Sequence, residues 1–275
     1  MRCGAKNSRP RSDGEASRVT VDLSYSEVGT GTPVVILHGL FGSKRNWASI
    51  ARQLSMHHRV LTVDLRNHGE SPWDAVHSYP AMAGDVARLI ETVVGGPAAV
   101  LGHSMGGKAA MLLALTRPEL VARLVAVDIP PARSSGTPIE YVRAMQRVPL
   151  ATCARRADVE AALADAVPEP AVRAFLATNL LVRPEGLAWT VNLDAIERQF
   201  DTVLGFPDMS AAAPFPKPAL FLVGGRSGYV QQHHHAGIRR LFPAAEIEIV
   251  PEAGHWVHAD APAALLKAVR RFLGV

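Results

Sequence analysis

The pentapeptide Gly102-His103-Ser104-Met105-Gly106 sets a single hydroxyl between two glycines. A serine hydroxyl is a weak nucleophile until a base takes its proton. Acyl transfer through serine also needs an acid to orient that base, and N–H donors for the oxyanion. A G-x-S-x-G pattern serves this chemistry where a strand precedes it and a helix follows, because the turn between them holds the serine in a strained conformation. Small neighbours make such a turn sterically possible. Here "PAAVLGH" reads as a buried strand and "MGGKAAMLLALT" as a helix, so Ser104 is the expected nucleophile. Met105 would supply one oxyanion N–H, and Gly107 would let the helix approach its neighbour.

Eleven histidines compete for the role of base. His255, in "VPEAGHWVHADAP", lies after the last strand-like run and before the last helix-like run, where a loop would return it to the C-terminal edge of a sheet. His258 reads as a supporting loop residue, and His38 of "LHGLFG" as a loop stabiliser. The acid departs from the commonest arrangement, a G-x-x-D-x-x-V pattern after the penultimate strand. This chain has Gly224-Gly225-Arg226-Ser227-Gly228-Tyr229-Val230, with a serine in the acid's place. Asp128 in "VAVDIPP" is the preferred acid, since its loop would lie beside the serine. Asp194 in "VNLDAI" is the rival if the central segment folds over the site. Either aspartate has an ordinary alternative as a turn or helix cap. Leu40 is the expected second oxyanion donor, with Gly39 and Gly42 permitting the bend. Phe41, His103 and Trp256 are expected around the substrate pocket, although Phe41 and Trp47 would serve equally as core and His103 as packing. Asp64, Arg66 and His68 in "DLRNHGES" read as a structural loop network.

Positioning these groups requires a sheet, and the elements supply one. "PVVILHG", "RVLTVDL", "PAAVLGH" and "LVARLVAVDI" are short apolar runs separated by helical patterns, which implies a parallel sheet with right-handed crossovers. The alternation breaks at "PPARSSGTP" and resumes with "PALFLVG" and "EIEIV", ending in the helical "PAALLKAVRRFL". The expected organisation is a flexible tail over 1–18, an α/β core over 19–130 and 216–275, and an inserted cap over 131–215 carrying only helical patterns.

An apolar share of 48% and a charged share of 20% suit a globular chain of 275 residues. No apolar run is long enough to span a bilayer. The net charge of +4 is not gathered into basic stretches interleaved with aromatics, which gives no support for nucleic-acid binding. The two cysteines, Cys3 and Cys153, make no disulfide framework and point to a reducing compartment. The first eighteen residues are basic and polar without an apolar stretch, so the expected location is cytoplasmic, or an organellar matrix if that tail is a presequence. Three consecutive histidines at 233–235 cannot converge on one ion from a helix start, and no metal site is expected.

Residues 20–275 resemble the α/β-hydrolase superfamily, on "HGLFG", "DLRNHGES", "GHSMGG" and "AGHWVHAD" in that order. "LHGLFGSKRNW", "GHSMGGKAAM", "VAVDIPP" and "GGRSGYV" resemble one branch of it, that of the YbfF-type esterases and animal abhydrolase domain-containing protein eleven. The resemblance implies an α/β-hydrolase fold with a helical cap, a Ser104–His255 esterase and no cofactor. Members of the branch lack the usual acid, which implies a displaced carboxylate, with Asp128 and Asp194 both at suitable positions. The expected substrate is a small-molecule ester or thioester of small to medium acyl length, cleaved through an acyl-serine. Arg133, Arg143 and Arg147 would meet the phosphates of an acyl-CoA. The alternatives are perhydrolase or haloperoxidase-like chemistry with the same groups, and a ligand-binding sensor on the same fold.

Overall fold

The structure, a computed structural model, describes residues 20–134 and 139–275. The expected tail over 1–18, and Cys3 with it, lies outside the described residues.

The first half of the core comprises β1 (Tyr25–Val28), β2 (Thr32–Leu37), α1 (Ala48–Leu54), β3 (His58–Val63), α2 (Tyr79–Leu89), β4 (Ala98–His103), α3 (Met105–Thr116) and β5 (Val121–Val127). The central segment holds α4 (Ile139–Arg147), α5 (Arg156–Ala162), α6 (Pro170–Leu176), β6 (Leu180–Arg183), β7 (Gly186–Trp189), α7 (Leu193–Arg198) and α8 (Phe200–Leu204). The core then resumes with β8 (Ala219–Gly224), α9 (His235–Leu241), β9 (Ala245–Val250), α10 (Val257–Asp260) and α11 (Pro262–Leu273). Seven strands form one sheet in the order β1-β3-β2-β4-β5-β8-β9. All neighbours run parallel except β1, which pairs antiparallel with β3. The fold is an α/β-hydrolase fold, with helices on both faces of a mostly parallel sheet.

Alternation along the buried strands explains the layers, since successive side chains point to opposite faces. On β2, Val35 and Leu37 enter an apolar layer shared with Met111 of α3 and Phe221 of β8. Val34 and Ile36 enter the opposite layer, with Ile50 of α1 and Leu265 of α11. Both faces of the strand are covered, so its sequence is a continuous apolar run rather than an alternating one. A third apolar cluster lies in the central segment, around Val142, Met145, Leu163, Leu176 and Ile196, and Phe41 of the core joins it.

The expectation that residues 131–215 are purely helical is corrected here. β6 and β7 form a two-stranded antiparallel ladder pairing Leu180 with Trp189 and Arg183 with Gly186. The "VRPEG" stretch, expected to split helical patterns, is instead the tip of this hairpin: Val182 and Arg183 end β6, and Gly186 opens β7 at φ 124°, a conformation that residues with a Cβ rarely adopt. No helix among the described residues is long and apolar enough to cross a membrane.

Lys108, one turn into α3 and 0% exposed, ties the core to the end of the central segment. Its Nζ donates to the carbonyls of Leu204 and Gly205, each at 2.7 Å, and to Ser134 Oγ at 3.1 Å. Burial, with the Arg133 charge adding to it, lowers its pKa to about 7. In the unfolded chain a lysine titrates near 10.4, so between these values the unfolded state binds more protons and stability rises with pH. Below about pH 7 the contribution is constant. Lys108→Met removes this titration, so the wild type should gain on the variant by on the order of 1–2 kcal/mol between pH 7 and pH 9. Thermal melts of both proteins across that range measure the difference, and a constant gap would contradict the assignment.

Candidate active site

The turn between β4 and α3 is as tight as its glycines imply. Ser104 has φ 49° and ψ −117°. A Cβ at Gly102 would sit 2.2 Å from the Gly106 carbonyl oxygen, and one at Gly106 would sit 2.5 Å from that of His38. One at Gly107 would meet Ile129 Cγ2 at 2.5 Å. Backbone at two of these three positions leaves no room for a side chain. The Ser104 N–H donates to the Val127 carbonyl at 3.1 Å, fixing the turn to the end of β5.

The loop after β9 brings His255 to this serine. His255 Nε2 lies 3.1 Å from Ser104 Oγ, and His255 Nδ1 lies 2.7 Å from Asp128 Oδ2. A carboxylate accepts only, so it sets the hydrogen on Nδ1 and leaves the Nε2 lone pair toward the serine hydroxyl. Asp128 is fully buried and takes two further donors. The Gly224 N–H reaches Oδ1 at 3.0 Å, and the Ser227 hydroxyl reaches Oδ2 at 2.5 Å. The serine found where an aspartate is commonest thus donates to the carboxylate that stands one strand away. Asp194 is not brought to this cluster. It is exposed on α7 and accepts from Gln146 Nε2 at 3.0 Å.

Two aromatic rings hold the imidazole and its loop. Tyr229 stacks on His255 with centroids 3.7 Å apart and planes within 11°. His103 Nε2–H donates to the His255 carbonyl at 2.8 Å. Burial pushes the His103 pKa well below its ordinary value, with His255 and His258 adding to the effect, so it stays a neutral donor. His258, stacked on Trp47 at 4.4 Å, is lowered by burial to about 4.

Residues 38–42 approach the serine from the end of β2. A Cβ at Gly39 would meet Ser104 Cβ at 3.2 Å. The Gly39 carbonyl accepts from the Gly42 N–H at 2.9 Å and from His38 Nδ1 at 2.8 Å, and the Phe41 N–H donates to His68 Nε2 at 3.2 Å. These bonds occupy the polar groups flanking Leu40, whose residue lines the space beside Ser104 together with Met105. Met105 opens α3, where the first N–H groups have no intrahelical acceptor. His68 and His77 are held neutral by burial, His77 at about 3.

A cavity of about 290 Å³ opens above Ser104 and His255. The core contributes Leu40, Phe41, His103, Tyr229 and Trp256 to its wall, and the central segment contributes Tyr141, Glu169, Val172, Phe175 and Leu176. Phe41, His103 and Trp256, expected around a substrate pocket, are among these lining residues. Tyr141, Glu169 and Phe175, which packs against Trp256 at 5.4 Å, were not foreseen, because their positions depend on how the central segment lies over the core. Tyr229 was not foreseen either, although it lies in the Gly224–Val230 stretch of the core. The arginines considered for phosphate recognition are elsewhere. Arg133 pairs with Asp201 at 2.5 Å and Arg143 with Glu197 at 3.0 Å, and neither these nor Arg147 line the cavity.

Comparison with known proteins bears on the family and the fold. Residues 32–262 match the family model described as alpha/beta hydrolase fold. The chain is 44% identical over 272 residues to the sn-1-specific diacylglycerol lipase ABHD11 of Xenopus laevis, covering 94% of this chain and 85% of that protein. It is 36% identical over 243 residues to esterase YbfF of Escherichia coli, covering 88% and 93%. A solved structure titled marine microorganism esterase superposes with a TM-score of 0.88 at 31% identity, over 92% of this chain and 100% of the other. Shared sequence over nearly the whole length, on a shared sheet, means that the chain belongs to the α/β-hydrolase fold family, with esterases and lipases as its relatives.

Proposed function

We propose that this protein hydrolyses carboxylic esters or thioesters of small to medium acyl length through an acyl-serine. The reading rests on one observation, the hydrogen-bonded series Ser104–His255–Asp128 opening on an apolar cavity. Ser104 Oγ attacks the acyl carbon as His255 Nε2 takes its proton. Asp128 stabilises the imidazolium, and the N–H groups of Leu40 and Met105 hold the oxyanion. His255 then gives the proton to the departing alcohol or thiol. Water enters, loses a proton to His255 and attacks the acyl-serine; the bond to Ser104 Oγ then breaks, His255 returns the proton to that oxygen, and the acid is released. Residues 131–215 act as the cap that sets acyl length. A cavity of about 290 Å³ is near the lower end of the roughly 300–1,000 Å³ common for ligand pockets, which favours one short or medium chain.

The similarity to proteins named diacylglycerol lipases favours a second reading within the same chemistry, an ester of glycerol. On that reading one acyl chain occupies the cavity and the remainder of the substrate lies outside it. A ligand sensor would have no need of a serine–imidazole bond backed by a fully satisfied carboxylate. No feature of the pocket favours perhydrolysis over hydrolysis.

A series of p-nitrophenyl esters from acetate to palmitate, tested with wild type and Ser104→Ala, examines the mechanism and sizes the pocket. Ser104→Ala should lower kcat by at least about 10³-fold, and equal rates would end the assignment. Asp128→Asn should lower kcat by on the order of 10³–10⁴-fold, because an amide can stabilise the wrong tautomer and cannot balance the imidazolium.

Ser227 Oγ lies so near Asp128 Oδ2 that a carboxylate at position 227 would reach the same imidazole. The double variant Asp128→Ser/Ser227→Asp should therefore recover at least about tenfold in kcat over Asp128→Ser, roughly the value of one charge-assisted hydrogen bond. Failure to recover in a protein that melts like the wild type would show that residue 227 cannot take the acid's place.

A further inference from the structure

We infer that Glu169 is a charge filter at the outer end of the acyl groove, selecting chains that end in an uncharged group over chains that end in a carboxylate. This rests on the acyl-serine reading and names the substrate class of that site. Leu176, Val172 and Glu169 are spaced by four and three residues, which sets them along one face of α6 and the residue that caps it. All three line the cavity. Leu176 is 1% exposed whereas Glu169 is exposed, so this row leads from the interior outward. At 1.5 Å per residue it spans roughly 10 Å, the reach of a medium acyl chain.

Among the described residues, Glu169 is the only Asp, Glu, Lys or Arg lining the cavity. Tyr141 lines the same cavity, and burial followed by the Glu169 charge raises the Tyr141 pKa, so the phenol stays protonated beside the carboxylate. Arg143 is paired with Glu197, whereas Arg173 of α6 keeps its charge while its Nη1 donates to the carbonyls of Val167 and Pro168, each at 2.8 Å; neither arginine lines the cavity. A chain ending in a carboxylate would bring a second negative charge to this rim with no lining cation to offset it.

The test compares p-nitrophenyl octanoate with mono-p-nitrophenyl suberate, the same chain ending in a carboxylate, near pH 7. For each enzyme the readout is the ratio of kcat/KM for the two esters, so a general loss of activity or of folded protein cancels. Wild type should favour the octanoate by about fivefold beyond the ratio of their alkaline hydrolysis rates, like-charge repulsion at an exposed rim being modest. Glu169→Gln removes the charge at nearly constant size and should reduce that preference by about threefold, with the change largely in KM for the suberate. Glu169→Lys should reduce it further or reverse it. Ratios within twofold of wild type in both variants would overturn the inference. Octanoate turnover that survives Ser104→Ala would instead overturn the acyl-serine reading, so the two failures are separable.

Discussion

A carboxylate with no exposed surface organises the site. Burying an unpaired charge costs several kcal/mol, so Asp128 is compatible with the fold only where donors converge on it. They arrive from three places: the Gly224 N–H at the end of β8, the Ser227 hydroxyl just beyond, and His255 from the loop after β9. The strand order β4-β5-β8-β9 is what brings these segments together. Ser104 follows β4, Asp128 follows β5, and the donors follow the next two strands outward. The same contacts that satisfy the buried charge also orient the imidazole toward the serine.

The loops after β2 and β3 solve a related problem with neutral groups. His38, His68 and His77 are buried, and burial keeps their pKa values low, so each ring can both donate and accept without bringing charge into the interior. His38 holds the Gly39 carbonyl and the Leu65 N–H, while His68 takes the Phe41 N–H. Asn67 and Asn179 carry the network into the central segment. The Asn192 N–H donates to the Asn67 carbonyl at 2.9 Å, and Asn179 Nδ2 donates to that of Phe41 at 2.8 Å. The segment over the cavity is thus bonded to the same loops that border Ser104.

How much of this was legible in the sequence follows from what each feature requires. The Ser104 turn was legible because backbone contacts at Gly102 and Gly106 exclude a Cβ, a constraint visible in residue type alone. His255 was legible because parallel βα order places the last loop at one edge of the sheet. The acid stayed open between Asp128 and Asp194, since Ser227 had replaced the residue that would have settled it, and a serine's role as donor to a distant aspartate leaves no local pattern. The β6–β7 hairpin was read as a helix break because its strands are four residues each, too short for alternation to register. Tyr141, Phe175 and Glu169 stand on a wall created by packing between segments far apart in the chain, which spacing along the chain cannot express.

Backbone strain gives the same map from independent evidence. Among the described residues, four that are not glycine have positive φ: Phe41, Asn67, Ser104 and Asp128. They follow β2, β3, β4 and β5 respectively, all at the C-terminal edge of the parallel sheet, where ligands bind in folds of this architecture. Each such residue costs on the order of 1–3 kcal/mol and persists only where its surroundings over-determine it. Phe41 is held by His68 and Asn179, Asn67 by Pro72 and Asn192, Ser104 by Val127, and Asp128 by Leu222 with the three donors to its carboxylate. Relaxing any one of them would turn a loop away from the cavity, so the bonds that hold the strain also hold Ser104, Asp128 and the loop around Phe41 in register.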